Sequence, residues 1–385
     1  MRFSRRMDGL PPYLFAEIER KVAEKRKQGV DVISLGIGDP DMPTPPHIVE
    51  EMQRQVADPA NHQYPNNRGL DEFRKAVATF YRNRFGVALD PETEVFPLLG
   101  SKEGIAHICM SFLDEGSVCL GADPGYPVYA SGPVLAGGEA VPLPLESGLG
   151  FQPDLEAIDG DILARARMLF VNYPNNPTGA VIEDDFFARL TEFGRRHDIA
   201  IIHDNAYSEI TFDGYVAPSF LETPGAKDAG VEFYSLSKTY NMTGWRIGAA
   251  VGNAKIIEAL WRLKTNLDSG MFQALQRTAV TAMTGSQQSV RDMCVLYQRR
   301  RDLVVGTLRE IGIDVASPKG TIYIWVPVPD GYTSTSFADM VLEKCAVVVP
   351  PGSGYGASGE GFVRISLTAP DERISEALDR IKDNL

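Results

Sequence analysis

Three short apolar runs constrain this chain most: Met168 to Val171, Ile199 to Ile202 and Val231 to Tyr234. Each breaks off into a dense polar cluster, and helical or loop patterns separate one run from the next. Continuous apolar runs of this length, without polar alternation, fit strands buried on both faces. They predict an α/β fold with a mostly parallel central sheet covered by helices. Flanking segments agree. Leu70, Phe73, Val77 and Phe80 recur at helical spacing over 69–85, with Asp71 and Glu72 suited to the first turn and Gly86 to the end. Ser101 to Leu113 reads as a second helix, opened by Gly100.

The two ends of the chain read differently. The first segment, to about Pro46, holds a charged helix near Leu14 to Gln28, an apolar strand at Val32 to Leu35 and the turn G-I-G-D-P-D. Beyond Gly270 a long helical stretch, Gln273 to Glu310, leads to a strand at Thr321 to Val326 and a smaller α+β unit. A length of 385 residues suits two domains, or one large α/β domain with an appendage. The expected division is 1–46 packing with the small unit, 47–275 as the large domain and 276–385 as the small one.

Bulk properties exclude several classes. A net charge of -13 argues against nucleic acid, which rewards basic patches. Cys109, Cys119, Cys294 and Cys345 show no C-x-x-C and no metal-ligand spacing with the five histidines. They read as reduced, mostly buried thiols of a cytoplasmic protein, with no metal expected. No apolar stretch follows the early Arg2, Arg5 and Arg6, so no signal or transit peptide is expected. No apolar run approaches the roughly 18 residues of a membrane span.

Open parallel sheets bind ligands outside the carboxyl ends of their strands. The clusters that follow the apolar runs are N-Y-P-N-N-P-T-G ending at Gly179, H-D-N-A-Y containing Asp204 and Tyr207, and S-L-S-K-T-Y-N-M-T-G-W-R from Ser235 to Arg246. A fourth, G-S-K, opens the helix at Ser101, where backbone N–H groups suit a phosphate. A lysine that reacts as an amine needs desolvation or cationic neighbours. Arg246 is such a neighbour, and its fork suits a phosphate. Lys238 therefore reads as a Schiff-base lysine holding pyridoxal phosphate. A pyridine ring serving as an electron sink needs a carboxylate at its protonated nitrogen, and Asp204 is the candidate. Asn176 and Tyr207 would donate to the ring's phenolate oxygen, and Tyr126 would cover the ring face. Ser101, Lys102, Ser235, Ser237 and Arg246 would take the phosphate, while Lys238 would also shuttle the substrate proton. Taken singly, N-P-T-G is equally a turn and Asp204 equally a helix cap.

Other motifs carry less. Arg299 to Arg301 reads as a solvated helix face, and His203 as a satisfied neighbour of the site. The glycine-rich run at 350–361 precedes the apolar segment F-V-R-I-S-L rather than a helix, so it fails as a dinucleotide loop and reads as a flexible loop beside the site. Within F-V-R-I-S-L, Arg364 interrupts an apolar strand. Its partner is either a protein carboxylate or a substrate α-carboxylate gripped by two N–H groups. Gly38 would bring a backbone N–H to the same carboxylate.

N-P-T-G, D-x-A-Y, S-L-S-K-x-x-x-x-x-G-x-R and R-I-S occur in one order over essentially the whole length, and in this the chain resembles the class I/II aminotransferases of pyridoxal-phosphate fold type I. The resemblance implies a large domain with a mostly parallel sheet flanked by helices, and a smaller α+β domain formed by both chain ends. It makes Lys238 the Schiff-base lysine, Asp204 the ring-nitrogen partner, Arg364 the α-carboxylate clamp and Tyr126 the stacking ring. It implies that Tyr64 reaches the phosphate of a neighbouring subunit, so that a homodimer shares its sites. Within the family, L-P-P-Y-L-F, G-S-K-E-G-I-A-H and K-T-N-L-D-S-G are most similar to LL-diaminopimelate aminotransferases. That subgroup implies Tyr13, Lys102 and Asn266 near the substrate or cofactor, and with Gly38, Asn176 and Arg364 they make up the expected substrate-binding residues. It implies transamination between LL-2,6-diaminopimelate and 2-oxoglutarate in lysine biosynthesis. Where plant-type members carry a glutamate facing the distal ammonium, this chain has Asn67, followed by Arg68. The alternatives are a transaminase for alanine, methionine or an aromatic amino acid, and a C–S lyase of the same fold. A transcription regulator would need a DNA-binding module, for which the residues before Gly36 are too few.

Overall fold

The computed structural model describes residues 3–10 and 15–385, and the strands among them form three sheets. In chain order they are β1 (Ile33–Ser34), β2 (Val95–Leu98), β3 (Val118–Asp123), β4 (Glu139–Pro144), β5 (Ala166–Val171), β6 (Ala200–Asn205), β7 (Gly230–Ser235), β8 (Gly248–Gly252), β9 (Tyr323–Pro327), β10 (Val347–Val348) and β11 (Phe362–Ser366). The central sheet runs β2-β8-β7-β6-β5-β3-β4. Only β8 is antiparallel to its neighbours. The three apolar runs are the adjacent strands β5, β6 and β7. Prolines sit in the edge strands β2 and β4, where a missing N–H leaves no gap in the ladder.

Alternate residues of each strand face opposite layers. Met168, Phe170, Ile202 and Phe233 pack with Ile105 and Ile108 of helix Ser101–Phe112 and Leu260 of helix Ala254–Lys264. Leu169, Val171, Ile201 and Tyr234 pack with Phe73 and Val77 of helix Asp71–Phe85 and Leu190 of helix Phe186–His197. Strands apolar on both faces need helices on both, and the chain supplies them. Helix Asp71–Phe85 ends as its pattern predicts, with Gly86 in the left-handed region at φ 69°.

The chain ends meet. β1 pairs parallel with β10, and β9 pairs antiparallel with β11. Lys21 of helix Phe15–Lys27 reaches Asp339 at 2.6 Å. Among the described residues no helix is long and apolar enough to cross a membrane, and no cluster of ligand-type side chains is placed to hold a metal. All four cysteines are free, and Cys294 alone is not fully buried.

Four sequence readings change. The stretch Gln273 to Glu310 is two helices, Gln273–Thr284 and Gln288–Glu310. They break at Gly285, where a Cβ would come within 2.6 Å of the Thr281 carbonyl oxygen. Arg299 to Arg301 is not a solvated face: only Arg299 is exposed. Arg300 is buried, donates to Asp41 at 2.7 and 2.9 Å and to Asp371 at 2.7 Å, and also reaches the Leu367 carbonyl. Arg301 is buried too and forks onto Asp213 at 2.7 and 2.9 Å. The glycine-rich run is folded into 3₁₀ turns, Gly352–Tyr355 and Ala357–Gly359, and Tyr355 accepts from the Gly125 N–H at 2.9 Å. Finally, β6 runs three residues past the apolar run, through His203, Asp204 and Asn205, because each of these buried side chains finds a polar partner.

Candidate active site

The carboxyl ends of β5, β6 and β7 open on one cavity of about 1600 Å³. Lys238 projects into it from the single helical turn Leu236–Thr239 that follows β7. Its amine donates to the Gly38 carbonyl. Burial pulls its pKa below the ordinary lysine value. Tyr323 and Asp39 oppose that pull, and Arg364 and Arg246 add to it. Loss of the proton is thereby made easier, as a nucleophilic amine requires.

Asp204 lies at the end of β6, buried, with one oxygen satisfied by Tyr129 Oη at 2.8 Å. Its other oxygen, Oδ1, has no hydrogen-bond partner among the described residues. Burial raises the carboxyl to about 6, against the pull of the Tyr129 hydrogen bond and His203. An unpaired buried carboxylate oxygen on a cavity wall calls for a cationic or N–H ligand. Tyr126 lines the same cavity, edge-on to Tyr129, with Lys102 Nζ 5.7 Å above its ring. Opposite lie Ser101, at the N-terminus of helix Ser101–Phe112, and Ser235, Ser237 and Arg246. Arg246 holds φ 57° and donates to the Thr243 carbonyl at 2.8 Å. Gly100 stands where a Cβ would come within 2.3 Å of the Arg246 guanidinium, so backbone and guanidinium close one cup. A helix N-terminus, two hydroxyls and a guanidinium are what a phosphate dianion requires.

Arg364 sits in the middle of β11, and no carboxylate of the described residues lies against it. Nη1 donates to Asn176 Oδ1 at 2.8 Å and Nη2 to the Gly36 carbonyl at 2.7 Å, while Nε has no partner. The guanidinium lies 4.0 Å over the Tyr323 ring and 4.7 Å from that of Tyr355. A buried cation served only by neutral groups and faced by a cavity is set for an anionic ligand. Tyr207, Asn176 and Gly38 line the same space.

Other expected residues lie elsewhere. Asn266 is exposed past the end of helix Ala254–Lys264, donates to the Arg262 carbonyl at 2.8 Å, and does not line the cavity of its own chain. Tyr64 is 87% exposed and likewise outside it. Arg68 is pinned against Glu258 at 2.5 Å and lies 4.2 Å over the Trp261 ring, away from this chain's cavity. Tyr13 falls outside the described residues. Sequence reasoning missed Tyr129 and Tyr323. Tyr129 follows Tyr126 by one helical turn, which was a usable signal. Tyr323 had none, since an aromatic in an apolar strand reads as core.

His203 is the satisfied neighbour expected. It meets Glu232 at 2.7 Å and the Tyr173 carbonyl at 3.0 Å on the sheet face opposite Asp204.

Residues 30–381 match the family of class I and II aminotransferases, and the chain belongs to that family. The fold is the α/β architecture of fold type I pyridoxal-phosphate enzymes, and the family implies that cofactor. An LL-diaminopimelate aminotransferase of Desulforudis audaxviator is 57% identical over 379 residues, covering 98% of this chain and 97% of its own. One of Dehalococcoides mccartyi is 56% identical over 381 residues, covering 99% and 98%. The apo structure of BacF from Bacillus subtilis superposes with a TM-score of 0.96 at 40% identity, covering 100% of this chain and 99% of that one.

Proposed function

We propose that the protein is a pyridoxal-phosphate aminotransferase acting on LL-2,6-diaminopimelate with 2-oxoglutarate, in lysine biosynthesis. In balance, the two give tetrahydrodipicolinate, glutamate and water, and the reaction runs in either direction. The observation that carries the reaction class is a buried Arg364 without a carboxylate partner, in one cavity with an amine of lowered pKa. The substrate follows from the relatives' names over nearly the whole chain.

Bound pyridoxal phosphate would supply the sink for the electron pair left when the substrate Cα loses its proton. This chain's residues do the rest. Lys238 would hold the cofactor covalently and, as a free amine, would move the proton at Cα. Asp204 Oδ1 would hold a proton on the ring nitrogen, and Tyr207 and Asn176 would donate to the ring oxygen. Tyr126 fixes the ring plane. Ser101, Lys102, Ser235, Ser237 and Arg246 fix the phosphate. Arg364 grips the α-carboxylate, aided by the backbone at Gly38, and Lys102 and Asn176 border the substrate. The unpaired Asp204 oxygen and the Gly100 cup support this fit.

The reading extends to a cytoplasmic homodimer in which Tyr64 and Asn266 serve the partner's site. It is supported by the exposure of both and by free thiols. We propose the chain's division as 1–46, a large domain and a small domain, with the second boundary nearer Gly285 than 275, since helix Gln273–Thr284 packs on helices Pro46–Ala57 and Asp71–Phe85.

The test is a single-turnover absorbance screen of the cofactor-loaded enzyme. LL-diaminopimelate and glutamate should each convert the cofactor to its amine form, and alanine, methionine and phenylalanine much more slowly. Faster conversion by one of those three would reassign the substrate. Pyruvate release from a sulfur amino acid, with the cofactor returned unchanged, would make the protein a lyase.

A further inference from the structure

Tyr323 is buried at the start of β9 and has no part in the chemistry above. Contacts on several sides fix its place. Thr321, two residues earlier, holds φ 71°, a region costly for a β-branched residue. Its hydroxyl accepts from the Tyr323 N–H at 3.1 Å and donates to the Tyr323 carbonyl at 3.3 Å. The Tyr323 ring lies beneath the Arg364 guanidinium, 4.0 Å from its centre. Its hydroxyl fills the space beside Gly38 so closely that a Cβ there would stand 1.8 Å from it. The same hydroxyl is 3.2 Å from Tyr207 Oη, and the two rings meet edge to face at 5.7 Å.

Two hydroxyls in one hydrogen bond share a donor-counting constraint. Each has a single hydrogen, so one tyrosine must donate and the other accept. The surroundings choose the direction. Arg364, a permanent cation, lies 4.0 Å over the Tyr323 ring with no such contact to Tyr207, so the Tyr323 oxygen keeps its lone pairs toward the guanidinium and turns its hydrogen to Tyr207. Other charged and titratable groups around the pair are Lys238, Asp204, Asp39, Tyr355 and Tyr297.

We propose that Tyr323 is a positioning residue for the reaction: its hydroxyl donates to Tyr207 and so commits Tyr207's only hydrogen to the cavity. This rests on the reading that Tyr207 donates to the cofactor's ring oxygen. A Tyr207 that accepts one hydrogen bond while donating another is a stronger donor than one acting alone. It lowers the proton affinity of the lysine-bound cofactor by steadying negative charge on that oxygen.

The experiment is the pH titration of the visible absorbance of the cofactor-loaded enzyme. Tyr323→Phe keeps the ring under Arg364 and removes only the hydroxyl. Its midpoint should rise by roughly half a unit, the scale of one cooperative hydrogen bond. Tyr207→Phe should raise it further, and the double variant no further than Tyr207→Phe alone. For Tyr323→Phe, kcat should fall several-fold while KM for the amino acid changes little. If Tyr207→Phe shifts the midpoint and Tyr323→Phe does not, or if the two shifts simply add, the positioning role is wrong. If Tyr207→Phe itself leaves the midpoint in place, the assignment of Tyr207 to the ring oxygen fails, and the role of Tyr323 with it. A thermal melt of the cofactor-free Tyr323→Phe protein at wild-type temperature separates these outcomes from misfolding.

Discussion

Asp204 is held at a cost that only its ligand removes. In the cofactor-free chain its pKa of about 6 stands above the ordinary 3.8. A carboxyl raised in this way stabilises the fold while protonated. That contribution is complete below about pH 4 and is lost as pH rises through about 6. Asp204→Asn should therefore make the cofactor-free protein more stable at pH 8, by about 1–3 kcal/mol. The gain should vanish near pH 4, and activity should fall by roughly 10²-fold or more. Urea unfolding at the two pH values decides it, and equal stability at pH 8 would show that the carboxylate is not under strain. Arg364→Lys asks a different question of the same cavity. The ammonium keeps the charge but cannot span Asn176, Gly36 and a ligand carboxylate together. Its kcat/KM should drop by roughly 10²-fold for the amino donor and for the oxo acid alike, the ~3 kcal/mol scale of a charge-assisted contact. Loss in one half-reaction only would place Arg364 at a distal group instead.

Elements were legible where one pattern decided them. Helix Asp71–Phe85 has apolar spacing, acidic residues at its start and a glycine at its end, all in agreement. The central strands showed as apolar runs because both faces are covered. The chemistry at their ends was legible because it depends on residue types that a buried strand end seldom tolerates unpaired. Arg300 and Arg301 were illegible for the opposite reason. A run of three arginines looks solvated unless Asp41, Asp213 and Asp371 are known to arrive from distant segments. Tyr323 was hidden likewise, since its partners lie on three other segments. Arg300 gives this scale its own prediction. It joins the turn after β1, the residue after β11 and the start of helix Asp371–Lys382. Arg300→Ala strands Asp41, while Asp371 keeps Arg299, and should cost about 3 kcal/mol, the lower end of the scale for breaking a buried pair. Denaturant unfolding should show this loss, and a loss under ~1 kcal/mol would return Arg300 to the class of surface pairs.

At the scale of the whole molecule, the exposure of Tyr64 predicts complementation between subunits. Lys238→Ala and Tyr64→Ala should each be poorly active alone. Mixed after unfolding and refolding, they should regain about one quarter of the wild-type activity, since half the pairs are hybrids and each hybrid has one intact site. Activity no greater than the sum of the separate variants would mean that no site is shared. The joined chain ends carry another consequence. Arg364 donates to the carbonyl of Gly36, 328 residues earlier, and β1 has no partner until β10 has been made. On the ribosome, then, the first segment waits. The Lys238 turn and the phosphate cup are synthesised and able to settle long before Gly36 receives its partner. A newborn chain would gain its hold on the cofactor early and its hold on the substrate only once β11 has followed.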